Sequence, residues 1–159
     1  MTLVRILACT ATGGLIVIFA GCGRSRRDVN PAGWTPLHNA AAAGDVAQAT
    51  DLLRLDPRLV NADDGNGHTP LHVAVDQGRR DAAKLLLDRG ANVQAQDNCG
   101  WTPLHTAAYA GRKAVAELLI ARGANVNALD RRQQTPLRLA EKWRHPEVAG
   151  LLKLHGGHE

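Results

Sequence analysis

Apolar residues recur along most of this chain in two alternating arrangements. In one, a short run opens on Thr-Pro-Leu and is filled with small residues, such as Ala40 and Ala41, Ala74, or Ala107 and Ala108. In the other, apolar residues fall at i, i+3 and i+4, as in Ala82, Leu85 and Leu86, Val115, Leu118 and Leu119, or Val148, Leu151 and Leu152. That spacing predicts an amphipathic helix. The Thr of the first arrangement is suited to N-cap a helix, and Pro suits the first helical position because no N–H is needed there. Short helices are therefore predicted from Pro36, Pro70, Pro103 and Pro136 to Gly44, Gly78 and Gly111, and to Arg144 in the last copy. The glycines supply the left-handed residue that ends such a helix. Gly90 and Gly123 end the second helices, and turn-rich segments (Asp64 to Gly67, Asp97 to Gly100) lead onward.

These units repeat in register. Thr-Pro-Leu-His stands at 35–38, 69–72 and 102–105, and Thr-Pro-Leu-Arg at 135–138; Gly-Ala-Asn-Val stands at 90–93 and 123–126. The period of about 33 residues and the TPLH signature resemble the ankyrin repeat over roughly residues 30 to 156. The resemblance implies an all-α solenoid of four helix-turn-helix repeats joined by β-hairpin-like turns, at about 30–63, 64–96, 97–129 and 130–156, with 157–159 as a tail. No single copy can bury its apolar face alone, so stability comes from stacking and the ends should be atypical. Gln48 and Asp51 stand where the second copy has Ala82 and Leu85. Glu141 and Lys153 stand at apolar positions of the last copy. Four repeats with polar caps are expected. The first copy carries an extra residue after Leu53, and Arg138 replaces the usual His.

Composition sharpens the picture in one respect. Aromatics make up 3% of the 159 residues: three Trp, one Tyr and one Phe. The core must then be built from Ala, Leu and Val, which suits closely stacked helices and argues against a β-sandwich or barrel. By the repeat register Trp34 and Trp101 fall just before Thr-Pro, and Tyr109 and Trp143 near the end of the first helix. In ankyrin proteins both zones belong to the concave surface that contacts partners. The expectation is that these four rings are displayed and none is spent on the inter-repeat core. The alternative is that each ring shields its neighbouring turn. The same mapping places Asn66, His68, Asp76, Gln77, Asn98, Arg131, Arg132, Gln134 and Lys142 on the partner face. The basic end (Arg131, Arg132, Lys142 and Arg144) suits an acidic patch on a partner, or is simply a soluble cap.

The chain opens with Arg5 followed by an uncharged stretch over residues 6–23, diluted by glycines. Phe19-Ala20-Gly21-Cys22 resembles the lipobox of bacterial lipoproteins, which implies a signal peptide over 1–21 and a lipid on Cys22. An uncleaved signal anchor is the alternative. Residues 22–29 would form a basic tether through Arg24, Arg26 and Arg27, drawn to anionic headgroups. Gly23 in place of Asp favours the outer membrane, facing the periplasm, if the envelope is Gram-negative. Cys9 would leave with the signal, and Cys99 would remain as a thiol.

Candidate chemistry is thin. His38, His72 and His105 recur one repeat apart, too far to share a metal, and the resemblance implies that each imidazole ties a first helix to neighbouring backbone. Asp64, Asp97 and Asp130 share one repeat position and read as turn stabilisers. No nucleophile elbow, phosphate loop or dinucleotide fingerprint occurs. A solvated, frayed tail of His155, His158 and Glu159 offers only a weak metal site. The expectation is a monomeric, non-catalytic module without cofactor that binds another protein as scaffold, accessory factor or inhibitor. A metal- or ligand-binding envelope protein is the alternative. Export disfavours nucleic acid as a partner, despite a pI of 9.3.

Overall fold

A computed structural model describes residues 33–158. The signal, Cys22 and the basic tether lie outside the described residues. Among those described there are eight α-helices, one 3₁₀ helix and no strand. The helices come in pairs: α1 (Pro36–Ala43) with α2 (Val46–Leu55), α3 (Pro70–Asp76) with α4 (Arg80–Asp88), α5 (Pro103–Ala110) with α6 (Lys113–Ala121), and α7 (Pro136–Lys142) with α8 (Pro146–Leu154). The odd-numbered helices stack on one another as one layer and the even-numbered helices as a second. Four copies of one helical hairpin therefore share a single continuous core, as the repeat pattern predicts.

That core is aliphatic and small. Ala40, Ala41, Ala74, Ala107 and Ala108 are fully buried between first helices, beside Leu37, Leu71, Leu104 and Leu86. The extra residue of the first copy is absorbed locally. Helix α2 runs ten residues instead of nine, and Asp56 caps a 3₁₀ helix (Pro57–Asn61) by accepting from the N–H of Arg58. At the ends, Gln48 and Asp51 are exposed, and Glu141 pairs with Lys153 at 2.7 Å.

Each linking turn is closed by a backbone bond across five residues: Asp64 N–H to the His68 carbonyl, Asp97 to Trp101 and Asp130 to Gln134. The buried Asp side chain then fills the turn. Oδ1 of Asp64 accepts from the N–H groups of Asn66 and His68, that of Asp97 from Cys99 and Trp101, and that of Asp130 from Arg132 and Gln134, all at 2.8–3.0 Å.

Two glycine positions show what stacking demands. Gly67, Gly100 and residue 133 share one repeat position, as do Gly44, Gly78, Gly111 and residue 144, and all of them have positive φ. In the inner copies the next repeat also crowds them. A Cβ on Gly100 would lie 2.9 Å from the Arg131 nitrogen, and one on Gly111 would lie 2.6 Å from the His145 ring. The last copy has Gln133 (φ 57°) and Arg144 (φ 59°) at these positions. With no further repeat stacked on them among the described residues, only the cost of the left-handed backbone remains, roughly 1–2 kcal/mol per residue.

The C-terminal tail differs from expectation. Rather than fraying, it is tied down: Asn127 Nδ2 donates to the Gly156 carbonyl, the His158 N–H donates to Asn127 Oδ1, and Thr135 Oγ1 donates to the His158 carbonyl, each at 3.0 Å. Asn61 does the same one repeat pair earlier, donating to Gly90 and accepting from the Asn92 N–H, and Gln94 donates to Gly123. Gly156 to His158 thus occupy the places of Gly90 to Asn92, because the same amide position in the preceding copy is there to hold them.

Arg144→Gly is expected to raise stability by about 0.5–1 kcal/mol, the relieved backbone cost less the greater freedom of the unfolded chain. Gly111→Ala should lower it by about 2 kcal/mol, through the same cost plus displacement of the His145 ring. Urea unfolding midpoints of the two variants would test both signs.

Candidate functional site

Two sets of groups meet on the first-helix layer and its turns: those that hold copies together and those left for contact. The histidines of the TPLH motif belong to the first set. His38, His72 and His105 are buried, and each Nδ1 lies 3.2 Å from the N–H of its own N-cap Thr, which it accepts. With Nδ1 accepting, the proton sits on Nε2. That N–H donates across the repeat boundary to the carbonyl of His68 (2.9 Å), Trp101 (3.0 Å) or Gln134 (3.0 Å). These are the same carbonyls that close the turns. Arg138, in the last copy, has no such carbonyl to reach among the described residues and is exposed.

The residue just before Thr-Pro supplies a further tie, where a displayed side chain was expected. His68 Nδ1 lies 3.0 Å from Asp64 Oδ2, and its Nε2 faces Asp97 Oδ2 of the next repeat at 3.4 Å, a contact that is an ion pair only when the ring is protonated. Trp101 Nε1 donates to Asp130 Oδ2 at 3.0 Å. Trp34 cannot repeat this, because Asp64 Oδ2 is taken by His68. Its ring instead lies against that of His38, 6.1 Å away, and its Nε1 is buried without a hydrogen-bond partner among the described residues.

The expectation that no aromatic is spent on the core is therefore corrected. Trp101 is 7% exposed and Tyr109 4%, and both belong to the core cluster. Trp101, Tyr109 and Trp143 form a ladder, with centroids 5.2 Å and then 4.9 Å apart, the last pair edge to face. The two inner rings are buried because the ladder covers them. Trp143, at its outer rung, is 45% exposed. Trp34, His68 and Gln134 are half-buried.

The remaining expected contact residues divide by exposure. Gln77, Asn98, Arg131, Arg132 and Lys142 are exposed, whereas Asn66 and Asp76 are half-buried. Asn98 is partly committed, its N–H donating to the Asn66 carbonyl and its amide to Gly65. Gln77 Nε2 donates to Asp76 Oδ2.

A set of ties was missed in the sequence. Arg79 Nε, Arg112 Nε and His145 Nε2 reach back to the carbonyls of Ala42, Asp76 and Tyr109, at the C-terminal ends of the preceding first helices (2.9–3.0 Å). The signal was present as a donor recurring at 79, 112 and 145 directly after the helix-ending residue. The amide positions 61, 94 and 127 recur in the same way.

Desolvation lowers the pKa of His38 and of His105, and the carbonyl each one bonds offsets this only in part. Burial also raises the Asp64 carboxyl, but the His68 ring and the N–H groups of Asn66 and His68 outweigh it and hold it at about 2. Among the described residues no group of three or more His, Cys, Asp or Glu is arranged to hold a metal ion, and Cys99 is half-buried.

Two family models of ankyrin repeats match the sequence, one over residues 6–97, more than half of the chain, and one over residues 86–140. The chain belongs to the ankyrin-repeat family. Similar curated proteins include human SMC5-SMC6 complex localization factor protein 1, 39% identical over 62 residues, 39% of this chain and 6% of that protein. A transient receptor potential cation channel subfamily A member 1 homolog of Caenorhabditis elegans is 44% identical over 55 residues, 35% of this chain and 4% of its own. Ankyrin repeat domain-containing protein 13C-A of Xenopus laevis is 35% identical over 72 residues, 45% of this chain and 13% of its own. The chain therefore spans only a small fraction of the length of these relatives. Ankyrin repeats imply a protein–protein interaction module, and the family is generally non-catalytic.

The pH dependence of this ankyrin stack follows from its ties. The unfolded histidines titrate near 6.5 and the folded His38 and His105 lower, so between those values the unfolded chain binds more protons. Stability should be level with respect to these groups above pH 6.5 and fall as the pH drops below it. The Asp64 contribution should persist above its unfolded value of 3.8 and disappear as the pH falls through about 2. Urea titrations across this range would show the first decline, and His105→Ala should flatten part of it while costing about 2–3 kcal/mol at neutral pH.

Proposed function

We propose that this protein is a non-catalytic binding module, lipid-anchored in a bacterial envelope through Cys22, whose first-helix face captures a partner protein as scaffold, accessory factor or inhibitor. The observation that carries the binding half is a contrast between copies. Groups that tie the stack recur almost unchanged: His38, His72 and His105, or Asp64, Asp97 and Asp130. The two positions at the C-terminal end of the first helix do not. One holds Ala42, Asp76, Tyr109 and Lys142, and the other Ala43, Gln77, Ala110 and Trp143. Tyr109 and Ala110 are buried beneath Trp143's copy, but the other six side chains are exposed or half-buried, so the scaffold places few demands on them. Chemical variety on a rigid, preformed face suits recognition at little ordering cost.

The anchoring half rests on Phe19-Ala20-Gly21-Cys22, the uncharged stretch before it and the arginines after it. A lipidated Cys22 would hold the repeats close to the bilayer, since residues 22–30 span at most about 30 Å when extended. Both halves are open to test. Growth with an alkyne fatty acid should label the native protein and not Cys22→Ser; label retained by the variant would remove the anchor. A photo-crosslinking residue at Gln77 or Lys142 should trap a partner that the same residue at Lys84 or Glu117, on the second-helix layer, does not. Equal trapping from both layers would rule out the first-helix face.

A further inference from the structure

We infer that the C-terminal end of the first-helix face docks an acidic polypeptide segment that seats an apolar side chain against Trp143; this rests on the protein-binding reading and specifies the partner's chemistry. Charge is distributed unevenly along the stack. Residues 33–63 carry four carboxylates against two Lys or Arg, whereas residues 130–158 carry six Lys or Arg against three carboxylates. In that last copy Asp130 is buried and taken up by Trp101 and two backbone N–H groups, and Glu141 pairs with Lys153. Among the described residues of this copy that leaves Glu147 as the remaining carboxylate against Arg131, Arg132, Arg138, Lys142 and Arg144, all of them exposed.

These cations bracket α7. Arg131 and Arg132 stand on the turn that leads into it, and Lys142 and Arg144 at its C-terminal end. The seven residues of α7 between them alone span about 10 Å, so a segment that meets both groups runs for at least three or four residues of extended chain. Between the pairs of charges at the helix end lies Trp143, the exposed aromatic of the described residues, held edge to face by Tyr109, which Trp101 backs in turn. A ring buttressed in this way loses little rotamer freedom on binding, which is what makes Trp an effective anchor. Carboxylates flanking an apolar residue would meet both features at once.

The distribution favours a polypeptide over an anionic membrane. A bilayer samples a broad surface, and along this stack it would meet the acidic first copy as well as the basic last one. A linear segment crossing α7 uses the basic copy alone.

The test uses the repeat protein, a synthetic peptide alternating Glu with Leu, its Lys–Leu counterpart, and phosphatidylcholine vesicles with and without phosphatidylglycerol. The Glu–Leu peptide should bind with a change in Trp fluorescence, at least about tenfold more tightly than the Lys–Leu peptide, and weaken with added salt. Arg131→Glu with Arg132→Glu, and separately Trp143→Ala, should each weaken it by about tenfold, with helical content checked by circular dichroism. Arg144→Gly separates binding from folding, since it should weaken the peptide several-fold while raising the unfolding midpoint. Equal affinity for the two peptides, indifference to charge reversal, or binding to phosphatidylglycerol vesicles in preference to the Glu–Leu peptide would overturn the proposal. Partner trapping at Lys142 that survives charge reversal would overturn the acidic specificity while leaving the protein-binding reading in place.

Discussion

The imidazole of each TPLH motif cannot be satisfied inside its own repeat. Its Nδ1 is used by the helix cap, and the remaining Nε2–H points across the boundary to a carbonyl that belongs to the following copy. A buried donor without a partner costs about 1–3 kcal/mol. Each copy therefore requires the next one in a fixed register, with the turn carbonyl within 3.0 Å. That carbonyl in turn closes the turn whose Asp holds the residue before Thr-Pro. Helix cap, inter-repeat tie and turn thus form one hydrogen-bonded unit, repeated along the stack. The alanines make it possible, because only thin first helices bring neighbouring copies close enough for such short bonds.

The few aromatics extend the same logic. Trp101 combines apolar bulk with an N–H, and it spends the N–H on Asp130 of the next copy and the ring on Tyr109. His68, at the same position one copy earlier, instead holds its own turn through Nδ1 and Asp64 and brings Nε2 to 3.4 Å from Asp97. Only the last rung of the ladder, Trp143, is left facing outward. Side chains that look alike in repeat register therefore end in different roles. What decides between them is whether a further ring packs over them, and for Tyr109 that ring is Trp143, just past α7 and more than thirty residues away.

Much of this molecule was legible in the sequence. Helix starts, helix ends and the two-layer stack follow from Thr-Pro, Gly and apolar spacing, because those signals act within one turn of helix or one copy. The turn role of Asp64, Asp97 and Asp130 was also legible, since a carboxylate accepting from N–H groups two and four residues ahead is a local interaction. The ties made by Arg79, Arg112 and His145 were visible as a recurrence but not as a function, because their acceptors lie 36 or 37 residues back.

The sequence by itself determined the period, the helix boundaries, the small-residue core and the polar ends. Each depends on residue chemistry at positions a few residues apart, repeated often enough to leave no ambiguity. Only the tertiary structure decided which rings are buried, which glycines are crowded and which cations stand without a carboxylate among the described residues. Those outcomes depend on what the neighbouring copy places opposite a residue. Gly111 faces the His145 ring, whereas Arg144, at the same repeat position, has no further copy stacked on it among the described residues. Identical register thus yields a packing requirement at one site and an exposed charge at the other.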